Sequence, residues 1–208
     1  MSTDATANYR ASVAGAAEPP PSAAAAFRLA EALRRLGALA VGTAAPDSVL
    51  DEAAAAVDAA SDRLAPYAEP SRYEQAQRLG GASGVFLNHP ITGPVNPLAP
   101  RVVMRPDGER LLGRALYGTP YEGPPGAVHG GQIAAGFDAV LAMAGGINGR
   151  MGMTRSLSTR FLKPTPLHTE LVYEAAIMSR EERKTVVHGV LRAGDVVTAE
   201  GTGEFVFR

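Results

Sequence analysis

Between Gly130 and Arg150 the chain carries one ionisable side chain, Asp138. Around it Ile133, Phe137, Val140, Leu141 and Ala144 recur at spacings of three and four, the period of an α-helix. Ala134, Ala135, Gly136, Ala139, Ala142 and Gly145 cover most of the remaining surface. A helix that is apolar nearly all round must be buried on nearly every side. Its small residues allow a sheet or a second backbone to approach closely. The pattern therefore predicts a helix over about 130–147, enclosed by whatever its flanks supply.

The flanks read as strands. RVVMRP and RLLGRALYG lie on either side of the turn Asp107-Gly108. After the helix come TRSLSTRFLKPTP, TELVYEAAIMSREE, RKTVVHGVLRA and DVVTAEGTGEFVFR, with turns at Glu181-Glu182 and Gly194-Asp195. Two strands, a helix and four strands give an α+β fold, a curved antiparallel sheet wrapped around one long helix. This domain spans residues 101–208. Residues 81–100 form a Pro- and Gly-rich loop or lid, too broken for regular structure. Residues 1–80 make an N-terminal extension. In it, 1–21 read as disordered or loosely docked. Ser22 is placed to cap a helix through AAAAFRLAEALRRLGALAV. Asp47 or Ser48 is placed to cap a second helix over about 47–65, stopped by Pro66, and a third short helix is expected over 71–79. The abundance of Ala in the extension suggests close helix packing, whether as a cap on a substrate tunnel or as part of an interface. GGASG, at 80–84, follows no strand and is a weak phosphate loop.

Composition removes several classes of function. The 208 residues include no Cys, so a disulfide scaffold, a thiolate metal site and a thiol nucleophile are all excluded. A formal net charge of -1 does not suit a nucleic-acid surface. Mean hydropathy is -0.02, and no apolar run approaches the roughly 20 residues of a membrane span. The N-terminus lacks the basic-then-apolar pattern of a secretory signal. A soluble, cytoplasmic protein is expected.

Asp138 cannot be buried without a partner at less than several kcal/mol, so a sheltered cleft and a catalytic role are expected of it; the alternative is exposure at a subunit edge. His129-Gly130-Gly131 opens the same helix. The first amides of a helix have no intrahelical acceptor, and here glycines leave them uncovered for an anion or a developing oxyanion. Nine residues separate His129 from Asp138. That is a turn of about 900°, half a turn out of phase, and a rise of roughly 13 Å. For both to serve one reacting carbon they must come from different subunits. A homodimer with two equivalent interfacial sites is therefore predicted, with a dimer of dimers also open.

GPPGAVHGGQIAAGFD, followed by TRSLSTRFLKPTPL, resembles the helix-start motif and next strand of the hotdog-fold acyl-CoA thioesterases of the PaaI and THEM4-like type. The resemblance covers about residues 98–208. It implies hydrolysis of an acyl-CoA or acyl-carrier thioester to a free acid and a thiol, with no cofactor and no metal; coenzyme A enters as part of the substrate. By position it implies Gly130 as oxyanion donor, His129 beside it, and Asp138 of the partner subunit as nucleophile or as base toward water. Thr154 would hold the water or the carboxylate. Gly131 and Glu122 are implied at the substrate, Glu122 in place of the Asn that many relatives carry before the histidine.

Arg155, Arg160 and Lys163 follow the helix and are candidates for a coenzyme A phosphate or pantetheine mouth, or else are solvated strand positions. His168 reads as a turn residue, His188 as a sheet residue and His89 as part of the loop. Four scattered histidines with no acid at ligand spacing do not make a metal site. Two readings stand beside hydrolysis: a hotdog protein that only binds an acyl thioester, and a dehydratase-like lyase.

Overall fold

The computed structural model describes residues 21–71, 73–74, 86–147 and 152–207. The expectations for residues 1–20, for most of 71–79 and for GGASG lie outside them. Six strands form one antiparallel sheet in the order β1-β2-β4-β5-β6-β3: β1 Val103–Asp107, β2 Arg110–Leu116, β3 Met153–Phe161, β4 Glu170–Arg180, β5 Lys184–Ala193 and β6 Val196–Val206. Two tight turns sit where glycine was expected to permit them, with φ of 61° at Gly108 and 58° at Gly194. Among the described residues three long helices accompany the sheet: α1 Ala24–Gly42, α2 Asp47–Leu64 and α3 Gly130–Gly145. No helix among the described residues is long and apolar enough to cross a membrane.

The sheet curls around α3, as the apolar helix requires. Ile133, Phe137, Val140, Leu141 and Ala144 are buried against Leu171, Tyr173, Val187, Leu191, Ala199 and Phe205 of β4, β5 and β6. These strands alternate buried and half-buried positions, so one row faces the helix and the other faces out. Arg180 donates to the Gly145 carbonyl at 2.8 Å and closes the C-terminal end of α3, where the helix dipole favours a cation.

Beneath the helix lies a polar pair absent from the sequence reading. The Tyr117 and Tyr173 hydroxyls meet at 2.9 Å in full burial, and Tyr173 also donates to the Ile133 carbonyl at 3.4 Å. Burial pushes the Tyr117 phenol up to about 12, and burial with the neighbouring Tyr117 pushes Tyr173 well above its ordinary value. Both therefore stay neutral hydrogen-bonding groups. Gly136 makes the room: a Cβ there would lie 2.2 Å from the Tyr173 oxygen and 2.9 Å from that of Tyr117. Gly136→Ala is expected to destabilise the fold by about 1–3 kcal/mol through overpacking. Adding Tyr173→Phe, which removes the nearest clashing atom but leaves the ring Cζ at 2.6 Å, should recover part of that loss. Chemical denaturation of the two single variants and the double variant measures the coupling; strict additivity would exclude the clash.

The segment 86–101 is ordered as a succession of turns, held by α1. The Arg34 guanidinium donates to the carbonyls of Pro94 and Asn96, each at 2.7 Å, and to those of Gly93 and Ala99, and it pairs with Glu31. Desolvation lowers its pKa, and Glu31 works in the opposite direction. Ala23, Leu87 and Val95 form a small satellite core with Ala26 and Phe27, and the Arg101 guanidinium lies 5.3 Å from the Phe27 ring centre.

Two expectations about the extension are corrected. Ser22 does not cap α1: it lies in the 3-10 turn Pro21–Ala23, and Ala23 holds the N-cap position. Neither Asp47 nor Ser48 caps α2, whose N-cap position falls on Pro46; Asp47 instead favours the helix dipole from the first turn. Among the described residues of the extension, the close packing expected from the alanines is confined to the start of α1, where Ala23 and Ala30 are buried, and no residue of α2 is buried.

Candidate active site

The loop before α3 is folded tightly on itself. The Glu122 carboxylate accepts from the Gly126 amide at 2.7 Å, Gly123 N–H donates to Ala127 O at 2.9 Å, and Gly126 takes a φ of 74°. Glu122 thus braces the loop and is exposed. A Cβ on Gly123 would lie 2.7 Å from the His129 Cα, so only glycine lets the loop return this closely. The chain then enters the helix with His129 at the N-cap. Its amide donates to Tyr121 O at 2.8 Å, and its Nδ1 accepts from Gly131 N–H at 3.0 Å. The side chain satisfies one of the orphan amides at the helix start, so the Nδ1 tautomeric position is an acceptor.

The Gly130 amide is left over. It has no hydrogen-bond acceptor among the described residues. The Phe161 ring, at the end of β3, lies 3.1 Å from where a Gly130 Cβ would stand. The helix start is therefore bare, slim and walled on one side by an aromatic ring. An N–H there, reinforced by the dipole of α3, is suited to a carbonyl oxygen that gains charge.

Asp138 is half-buried on the flank of α3 that faces β3, and its Oδ1 accepts from the Thr154 hydroxyl at 2.8 Å. This brings together two of the residues picked out from the sequence. A β-bulge between Thr154 and Ser156 makes the contact possible. Leu157, Thr159 and Phe161 pair with Gly203, Gly201 and Ala199, which face α3, and the bulge returns Thr154 to that same row opposite Phe205.

The basic candidates lie elsewhere. Arg160 pairs with Glu200 at 2.7 Å and Arg155 with Glu204 at 3.4 Å, both on the outer face of the sheet, away from α3. Lys163 is exposed at a shallow groove with Pro164, Pro166, Thr169 and Val196. The histidines other than His129 are engaged in local structure. His89 Nδ1 accepts from the Ile91 amide, His168 takes a φ of 53° in a turn, and His188 bonds Thr202 at 3.1 Å across the outer face. No group of three or more His, Cys, Asp or Glu among the described residues is arranged to hold a metal.

Known proteins share this fold. Residues 125–200 match the family described as Thioesterase superfamily. The bovine acyl-coenzyme A thioesterase THEM4 is 32% identical over 108 residues, which cover 50% of this chain and 44% of the relative. The match thus spans less than half of that relative's length. A putative thioesterase from Ralstonia eutropha JMP134, a phenylacetic acid degradation-related protein, is 24% identical over 51% of this chain and 84% of its own, with a TM-score of 0.48. The thioesterase superfamily protein RHA08564 is 33% identical, covers 91% of this chain and 97% of its own, and superposes with a TM-score of 0.79. With that identity across nearly the whole of both chains, and with one long helix held in a curved antiparallel sheet, the chain belongs to the hotdog-fold thioesterase superfamily.

Proposed function

We propose that this chain hydrolyses an acyl thioester, of coenzyme A or of an acyl carrier, to a free acid and a thiol. The carbonyl oxygen would sit on the Gly130 amide, beside His129 and Gly131. Asp138 would attack the carbonyl carbon or take a proton from the attacking water, with Thr154 fixing the carboxylate. The C–S bond breaks and the thiol leaves with a proton. Coenzyme A enters only as the leaving group, and the reaction as proposed uses no cofactor.

The observation that carries this reading is what β3 touches at its two ends. Near its start Thr154 holds Asp138, and at its finish Phe161 abuts Gly130. β3 is an edge strand, paired among the described residues only with β6, largely exposed, and free of the Pro or Lys that commonly guards an edge. Suppose a second copy pairs with it antiparallel, centred between Leu157 and Ser158. Thr154 then lies opposite Phe161 of the partner subunit. Asp138 of one subunit thereby approaches the bare helix start of the other, twice over about one two-fold axis. A homodimer of this kind builds each site from two chains and answers the half-turn mismatch between His129 and Asp138.

A panel of short, medium, long and aryl acyl thioesters tests the reaction. The chain has no Cys, so a thiol reagent reports only the product. Release of thiol with a free acid of matching mass is expected for at least one acyl class. Binding without thiol release would leave an acyl-thioester binder, and a dehydrated product still joined to its thiol would mean a lyase.

A further inference from the structure

α2 is an amphipathic helix that, among the described residues, has no other α-helix or strand to lie on. Val49, Leu50, Val57 and Leu64 are 49%, 43%, 38% and 50% exposed, and Ala53 and Ala60 continue their stripe. Asp47, Asp51, Asp58 and Asp62 take the opposite face. Among the described elements, the one it packs on extensively is the single turn that follows it, Ala65–Tyr67. A four-residue link, 43–46, joins it to α1. Links that short ordinarily bring neighbouring helices together, yet these two make no extended contact. Helices of this length draw most of their stability from burying an apolar stripe. α2 instead runs about 27 Å with its stripe uncovered by any other described element.

A surface suited to receive it lies on α1. That helix, with Ala23 at its N-cap, turns Phe27, Ala30 and Arg34 toward its own chain and carries a second stripe, Leu29, Leu33, Leu36 and Ala40, exposed on another side. Leu33, Leu36 and Ala40 wall a groove of about 1080 Å³ whose far side includes Leu98 and Leu116. Charge selects the pairing. α2 carries five acids against Arg63, whereas α1 carries Arg28, Arg34 and Arg35 against Glu31, and the groove adds Arg101 and Arg114 against Glu170. Opposite net charges favour α2 on α1 over α2 on α2.

We propose that α2 is an exchange arm: it lays its Val49–Leu64 stripe along the α1 groove of a second copy of this chain, which returns its own arm in the same way. Two identical contacts then close about one two-fold axis. The inference rests neither on thioester hydrolysis nor on pairing through β3.

The absence of native Cys makes single thiols informative. Full-length chains carrying only Ala53→Cys, on the α2 stripe, are produced together with differently tagged chains carrying only Ala40→Cys. They are then treated with a short bismaleimide. A covalent heterodimer is expected, in several-fold excess over that from Ala40→Cys with Ala55→Cys, which points from the acidic face. Changing Val49, Leu50, Val57 and Leu64 to Ser in the Ala53→Cys chain should abolish the excess. Equal capture from positions 53 and 55 would overturn the proposal. So would linkage confined within single chains that carry both Ala40→Cys and Ala53→Cys, because the arm would then occupy its own groove. Preferential capture between two Ala53→Cys chains would replace it with α2–α2 pairing.

Discussion

Asp138→Asn is expected to cut thioester turnover by about 10²–10⁴-fold, the range for loss of a positioned acid–base group. The fold and the particle mass should not change. The amide keeps Oδ1, so the Thr154 hydroxyl, which donates to it at 2.8 Å, retains its acceptor. A half-buried flank of α3 accepts an uncharged isostere without strain. What disappears is the charge and basicity of the carboxylate, and the loss should fall on kcat rather than KM. Thr154→Val keeps the carboxylate but removes its hydrogen bond, worth about 1.5–3 kcal/mol to a charged group, so a smaller loss of about 10–100-fold is expected. Thiol release across the responsive acyl class measures both, with native mass read alongside. Full turnover by Asp138→Asn would remove Asp138 from the chemistry.

How much of this could be read beforehand depended on whether the signal was local. α3 announced itself, because apolar residues on nearly every side of a helical period leave almost no solvated face, and Asp138 stood out as its one ionisable residue. The hairpin turns at Gly108 and Gly194 were legible for the same reason, since a positive φ and the residue that accepts it occupy one position. Contacts between distant segments were not legible. Arg34 grips carbonyls 59 to 65 residues away, and a backbone acceptor leaves no mark on the side chain above it. Tyr117 and Tyr173 meet across 56 residues, in a gap opened by a glycine that looks like any other small residue of the helix. β3 is the most instructive case. Strict alternation would set Thr154 with Ser156 and Ser158 on the outer face, and the bulge reverses this. That reversal carries Thr154 to Asp138 while Arg155 and Arg160 pair with glutamates outside. The resemblance supplied Thr154 by position; spacing alone would have placed it on the wrong side of the sheet.

Mixing two inactive variants should restore activity, and this is the sharper test of a site shared between subunits. Chains with Asp138→Asn keep an intact helix start, and chains with His129→Ala keep an intact carboxylate. His129→Ala removes the acceptor that Gly131 N–H uses at 3.0 Å, which loosens the first turn of α3 and the Gly130 amide within it. A fall of about 10²–10³-fold is expected, comparable to losing an oxyanion donor. Suppose Asp138 of one chain serves the helix start of the other. A mixed dimer then contains one wholly native site and one doubly damaged site. Random pairing of equal amounts makes half of the dimers mixed, so the mixture should recover about a quarter of native activity. If each site were built within a single chain, no arrangement of the two variants would contain an intact one, and the mixture would stay as inactive as its parts. Recovery therefore locates the carboxylate and the oxyanion donor on different chains, whereas its absence, with mixed dimers verified by native mass, would place both on one chain and refute the β3 pairing.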